Sequence, residues 1–145
     1  MKGRLMHCTF CTILAGKLPS RILYEDEHAA AFLDLNPLRR GHTLVVPRLH
    51  INDLTDEQAP TAITAVAKAL HATTRLLIEK LPSDGVSLLQ ANGVAAGQDV
   101  FHLHFHLVPR RTRERQLTDH TPDEAARQSL DATYEVLRGT RGYQG

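Results

Sequence analysis

Residues 22–34 (ILYEDEHAAAFLD) place two short apolar runs either side of the acidic turn Glu25-Asp26-Glu27, a pattern that predicts two short strands. Asn36-Pro37 opens a loop through Arg39-Arg40-Gly41, and residues 42–47 (HTLVVP) form a β-branched run that Pro47 ends, as a buried strand would. A long helix follows. Thr55 and Gln58 have capping-box spacing, Asp56 and Glu57 suit the positive end of a helix dipole, and Pro60 is tolerable in the first turn. Ile63, Val66, Leu70, Leu77 and Leu81 fall on one 3.6-period stripe, and Pro82 to Gly85 stops it. Residues 86–91 (VSLLQA) read as a strand, 92–98 as a Gly-rich loop and 100–108 (VFHLHFHLV) as the clearest strand of all. Thr121-Pro122-Asp123-Glu124 is a second capping signature, with Leu130, Tyr134 and Leu137 on the apolar side of a C-terminal helix. The sum is an α+β domain: an antiparallel sheet of about five strands, one long helix and a C-terminal helix.

Length and composition narrow the class. A chain of 145 residues is the size of one ordinary domain, with no internal repeat or linker, so one domain over 1–145 is expected. Its hydrophobic (42%) and charged (23%) fractions are those of a globular chain, not a disordered or fibrous one. Lys plus Arg (17) nearly balances Asp plus Glu (16), for a formal charge of +1, so no stable nucleic-acid binding is expected. The densest basic stretch, Arg110 to Arg115, also holds Glu114 and reads as solvated charge. No apolar run reaches the ~18–20 residues that span a bilayer, and Met1-Lys2-Gly3-Arg4 is not followed by a signal-peptide core, so a cytoplasmic location is expected, with no membrane partner.

The oddest figure is nine histidines beside no tryptophan. His102, His104 and His106 alternate with Leu103, Phe105 and Leu107, which on a strand puts three imidazoles on one face about 6.6 Å apart. Such a face can hold a metal, supply a nucleophile for an acyl or phosphoryl centre, or bind an anion; it can also be no more than the polar side of an amphipathic strand. The Gly97-Gln98 turn just before it offers backbone N–H donors of the kind phosphate sites use, which favours phosphate chemistry. Cys8 and Cys11, the only cysteines, form a C-x-x-C that is half a zinc site, a redox dithiol or an inert buried pair. His7, His28, His71 and His120 read as packing or surface residues, and Asp56, Glu57, Asp123 and Glu124 as helix caps.

His102-Leu103-His104-Phe105-His106-Leu107-Val108 resembles the signature of the histidine-triad (HIT) family of nucleotide hydrolases and transferases. The likeness runs over about residues 7–110 and includes Cys8-Thr9-Phe10-Cys11, Tyr24-Glu25-Asp26, Phe32-Leu33-Asp34, Gly41 to Pro47, His50, Asn92-Gly93 and Gly97-Gln98. About residues 111–145 are expected to form a C-terminal helical extension. By that resemblance His104 is the nucleophile that forms a nucleotidyl-histidine, His106 contacts the phosphate and leaving group, and His42 is a fourth active-site histidine. Asp34 matches the residue that binds the ribose hydroxyls, with Phe32 and Leu35 near the base and Asn92 and Gln98 on the phosphate side. Asp99 departs from the pattern, since many relatives carry Ser or Thr there; a carboxylate beside phosphate bears on leaving-group preference. Bacterial relatives pair such cysteines with two histidines, which here are His50 and His102, around a structural Zn2+. The resemblance further implies a homodimer and a purine-nucleotide substrate. The expected activity is an adenosine phosphoramidase that releases AMP; the alternatives are asymmetric cleavage of diadenosine polyphosphates, a nucleotide-binding regulatory protein with little turnover, and a redox switch at Cys8 and Cys11.

Overall fold

The computed structural model describes residues 7–112 and 120–139. The chain opens with a short helix α1 (Thr9–Leu14), then strands β1 (Ile22–Glu25), β2 (Ala29–Leu33) and β3 (Thr43–Pro47). Helix α2 (Ala59–Lys80) leads to β4 (Gly85–Leu89), a single 3-10 turn (Val94–Ala96) and β5 (Phe105–Arg110), and helices α3 (Glu124–Gln128) and α4 (Leu130–Arg138) follow. All pairings are antiparallel and the sheet order is β1-β2-β3-β5-β4. The expected α+β architecture is the observed one.

Strand alternation divides the core in two. Ala29, Ala31, Leu33, Val45 and Leu107 pack with α2, whereas Phe32, Leu44 and Val46 pack with Phe10 and Ile13 of α1. Both faces of β2 and β3 are therefore covered, which is why these strands read as unbroken apolar runs. The stripe on α2 differs from the expected one. Ile63 is 45% exposed, and the buried line runs through Ala59, Ala62, Val66, Ala69, Thr73 and Leu76 or Leu77. Small alanines let the helix lie close to the sheet, and periodicity read from large side chains alone misses them. The capping box is also absent: the helix begins at Ala59 with no side-chain cap. Asp53 accepts from Thr55 N–H, and Asp56 accepts from Gln58 N–H, each in a local turn.

Two further corrections concern the ends of β5. Regular strand covers only Phe105–Arg110, so His102 and His104 lie before it, on backbone tied to the rest by Leu103 N–H donating to Ile51 C=O (2.7 Å). At the other end Arg110, read as solvated, is buried, and its Nε donates to Ser87 Oγ (3.2 Å). Gly41 sets the entry to β3. It sits at φ +86°, and a Cβ there would run into Leu81 Cδ1 and lie 3.2 Å from Pro109 Cγ. At the far edge α4 lies along β1, with Tyr134 Oη donating to Ile22 C=O (3.1 Å) and Arg21 paired to Asp131 (2.8 Å). No helix among the described residues is long and apolar enough to cross a membrane.

Candidate functional site

Two histidine clusters meet at the start of β5, and their hydrogen bonds give them opposite chemistry. In the first, Cys8 and Cys11 come from the start of α1, His50 follows β3, and His102 precedes β5; one donor atom from each lies within 4.8 Å of the others. Nδ1 of His50 and Nδ1 of His102 are 3.0 Å apart, Cys11 Sγ is 3.2 Å from the first and 3.5 Å from the second, and Cys8 Sγ is 3.4 Å from His102. A tetrahedral zinc ion has N–N edges of roughly 3.4 Å and N–S edges of roughly 3.6 Å, so the four atoms are already close to a coordination shell. The tautomer agrees. Nε2 of His102 lies 2.8 Å from Pro47 C=O, which can only accept, so the proton is on Nε2 and the Nδ1 lone pair faces the sulfurs. Burial, with Cys8 beside it, pushes the Cys11 thiol up to about 12, so a cation here would bind against proton release.

The second cluster is Asp34, His42 and His106, also within 4.8 Å. Leu38 N–H donates to Nδ1 of His42 (2.9 Å), which fixes the His42 proton on Nε2. That Nε2–H faces Nδ1 of His106 at 2.9 Å, so His106 in turn carries its proton on Nε2. Coordination at His42 Nε2 would need a proton on Nδ1 and would turn the Leu38 N–H into a clash. The donor set is therefore a directed hydrogen-bond relay rather than a metal centre. Burial holds both His42 and His106 down to about 4, so both rings are neutral near pH 7. Asp34 Oδ1 accepts from Asn36 N–H (2.8 Å), Oδ2 lies 3.5 Å from His42 Nε2, and burial raises this carboxyl above its ordinary range.

His104 stands between the clusters. Its Nδ1 donates to the carbonyl of His102 at 2.8 Å, which leaves Nε2 bare. Its ring sits 4.9 Å from that of His106 and meets the edge of Phe10 at 5.2 Å and 81°. The expectation of three imidazoles evenly spaced on one strand face is corrected accordingly. His102 turns to the cysteines, while His104 and His106 face a cleft of ≈ 220 Å³ between α1 and the sheet.

Among the anticipated substrate residues, Phe32, Asp34, Leu35 and Asp99 line that cleft with His104 and His106, and His42 stands behind His106. Asn92 and Gln98 do not line it. Asn92 Oδ1 accepts from Leu54 N–H (2.9 Å). Buried Gln98 accepts from Gly93 N–H (2.7 Å) and donates to Asn52 C=O (2.7 Å) and Val100 C=O (3.1 Å), so it braces the loop. The amides of Gly97 and Gln98 also bond back into the turn, to Val94 and Gly93 C=O, and are not the anion donors the Gly-rich sequence suggested. Sequence reasoning missed Phe10, Ile13 and Leu44 as cleft walls. The available signal was the apolar periodicity of Phe10 and Ile13 inside the cysteine segment.

The HIT domain family model matches residues 15–113. The chain belongs to the HIT family. This HIT protein is 36% identical over 135 residues to an uncharacterized HIT-like protein of Methanocaldococcus jannaschii, covering 91% of this chain and 99% of that one. It is 39% identical over 107 residues to an adenylylsulfatase of Arabidopsis thaliana, covering 74% of this chain and 54% of that one. Among solved structures, a Zn-bound histidine triad family protein from Mycobacterium smegmatis aligns with a TM-score of 0.69 and 37% identity, over 93% of this chain and 98% of the other. The family is one of nucleotide-binding hydrolases and transferases, and the Cys2His2 cluster of this HIT protein is compatible with Zn2+.

Proposed function

We propose that this HIT protein hydrolyses adenosine phosphoramidates, releasing AMP and an amine through a nucleotidyl-His104 intermediate. The observation that carries the reading is the pairing of one ring nitrogen left bare, His104 Nε2, with one ring N–H delivered beside it, His106 Nε2. The apolar wall of Phe10, Phe32, Leu35 and Leu44 suits a purine, and the Asp34 carboxylate suits the two ribose hydroxyls. In the first step His104 Nε2 attacks the α-phosphorus and the P–N bond breaks. The electron pair leaves with nitrogen, which takes the His106 Nε2 proton. His42 shares its own proton with His106 Nδ1, and the Leu38 N–H steadies the charge left behind. Water then attacks phosphorus, His104 departs, and the water proton restores His106. The Arabidopsis relative, by its name an adenylylsulfatase, is consistent with chemistry at an adenylyl group.

Zn2+ held by Cys8, Cys11, His50 and His102 would be structural. All four donor positions are filled by protein, and the ion would tie α1 to the backbone that fixes His104. The protein also acts as a homodimer in this reading. The support is β4, an edge strand with no described neighbour on its outer side, carrying Leu88 at 55% exposure. The cytoplasm, a reducing compartment that keeps both cysteines available to the metal, is the location this chemistry calls for.

The deciding experiment is AMP release from adenosine 5′-phosphoramidate by the wild type and by His104→Ala. Turnover that falls at least about a hundredfold in the variant, with AMP found on His104 by mass spectrometry of acid-quenched enzyme, is the expected result. Background release from both proteins, or faster cleavage of diadenosine polyphosphates by the wild type, overturns it.

A further inference from the structure

Electrostatics on the leaving-group side of the cleft carry a conclusion about the substrate that rests on the function proposed above. Two carboxylates, Asp34 and Asp99, line the cleft, and no lysine or arginine does so among the described residues. His106 is neutral near pH 7, so it offers no compensating charge. The two carboxylates are not equivalent. Asp34 is half-buried and anchored by Asn36 N–H, with His42 behind it, and is assigned above to the ribose. Asp99 is exposed at the cleft wall, and no described residue pairs with or hydrogen-bonds to its carboxylate. It lines the same cleft as His106, the group that hands the proton to the leaving nitrogen, and its field reaches both His106 and Asp34. An anionic substrate phosphate brought next to an unpaired carboxylate is penalised unless a positive charge arrives with it. Among the described residues that line the site, none supplies it.

We propose that Asp99 is a specificity-determining residue that selects phosphoramidates whose leaving amine carries a second, positively charged group, such as a diamine or a basic amino acid joined through one nitrogen. The substrate then brings the cation that the described lining lacks, placed between Asp99 and the α-phosphate. Neutral amines leave the carboxylate unpaired, and anionic leaving groups, polyphosphates among them, add a repulsion.

The test compares three AMP conjugates of matched length, on zinc-replete protein in buffer with no added divalent cation, so that no free divalent ion supplies the missing charge: one with a terminal ammonium on the leaving group, one with a terminal methyl and one with a terminal carboxylate. In the wild type kcat/KM is expected to favour the ammonium over the methyl compound by about tenfold, and to place the carboxylate last. Asp99→Asn, which keeps shape and removes charge, should bring the three within about twofold, and 1 M salt should compress the wild-type series in the same direction. Wild-type turnover with no charge preference, or a preference that survives Asp99→Asn, overturns the role of Asp99 and leaves the phosphoramidase reading standing. Absence of turnover with all three overturns that reading instead. The order of dissociation constants measured by calorimetry then decides charge selection alone, an order independent of charge rejecting it.

Discussion

At the scale of single residues, this site is built from proton positions more than from charges. Leu38 N–H, His42 and His106 form a chain in which each link fixes the tautomer of the next, and the His102 carbonyl does the same for His104. The price is that two buried rings must stay neutral. His42 and His106 are held to about 4 against an ordinary 6.5. As pH falls through 6.5 the unfolded chain takes up protons that the native chain refuses. Stability should therefore drop between about pH 6.5 and 4 and level off below. Urea unfolding at pH 7, 5.5 and 4.5 measures the slope, and His42→Gln should reduce it by removing one titrating ring. A stability that stays flat over this range would contradict the neutral relay. The sequence made the residue types of this relay visible but not its direction. His42 and His106 are 64 positions apart, and which nitrogen carries the proton depends on a loop amide at Leu38 that no side-chain pattern reports.

Among the elements, α1 does the most with the fewest residues. Six residues present Cys11 on one side and Phe10 and Ile13 on another, while Cys8 caps the helix by accepting Cys11 N–H at 3.3 Å. So short a helix does not hold by its own propensity, and its anchor is the Cys2His2 cluster together with the apolar face of β2 and β3. Purified protein should accordingly contain one zinc per chain by elemental analysis. Cys11→Ser should lose it and melt about 10 °C lower, with the cleft wall at Phe10 loosened. A Cys11→Ser protein with stoichiometric zinc would refute the ligand set. The elements also show what patterning can and cannot deliver. Strands β1 to β4 were legible because β-branched and apolar runs stop at Pro, Gly and acidic turns. The extent of β5 was not, because H-x-H-x-H has perfect strand alternation. The backbone leaves the sheet at residues 101–104 so that His102 reaches Pro47 C=O and the cysteines. Alternation reports a strand only where every side chain answers to the same two faces. Here one histidine answers to a different cluster. Arg110 was misread for a related reason: a run of arginines looks solvated until the sheet places its first member opposite Gly85, with its side chain buried and donating to Ser87 Oγ.

For the whole molecule, the two edges of the sheet have different fates. At β1 the Ile22 carbonyl is taken by Tyr134, and α4 lies alongside. At β4 none of the five residues is fully buried, although Val86, Leu88 and Leu89 are apolar, and no described element lies beyond it. An uncovered apolar edge invites pairing with another strand, and the simplest closed solution is a two-fold in which β4 meets its own copy antiparallel and one continuous sheet crosses the dimer. Sedimentation should then give twice the 16.1 kDa chain mass for the wild type. Leu88→Asp sets two carboxylates near the axis and should shift the mass toward the monomer at micromolar concentration, with the far-UV spectrum unchanged. A wild type that sediments as a monomer rejects this use of the edge. A Leu88→Asp protein that remains dimeric moves the interface elsewhere, for example to the exposed side of α2 around Ile63 and Ile78, which are 45% and 42% exposed. Neither site cluster includes a residue of β4, so monomeric Leu88→Asp protein should still bind zinc. Zinc content therefore separates loss of pairing from loss of fold.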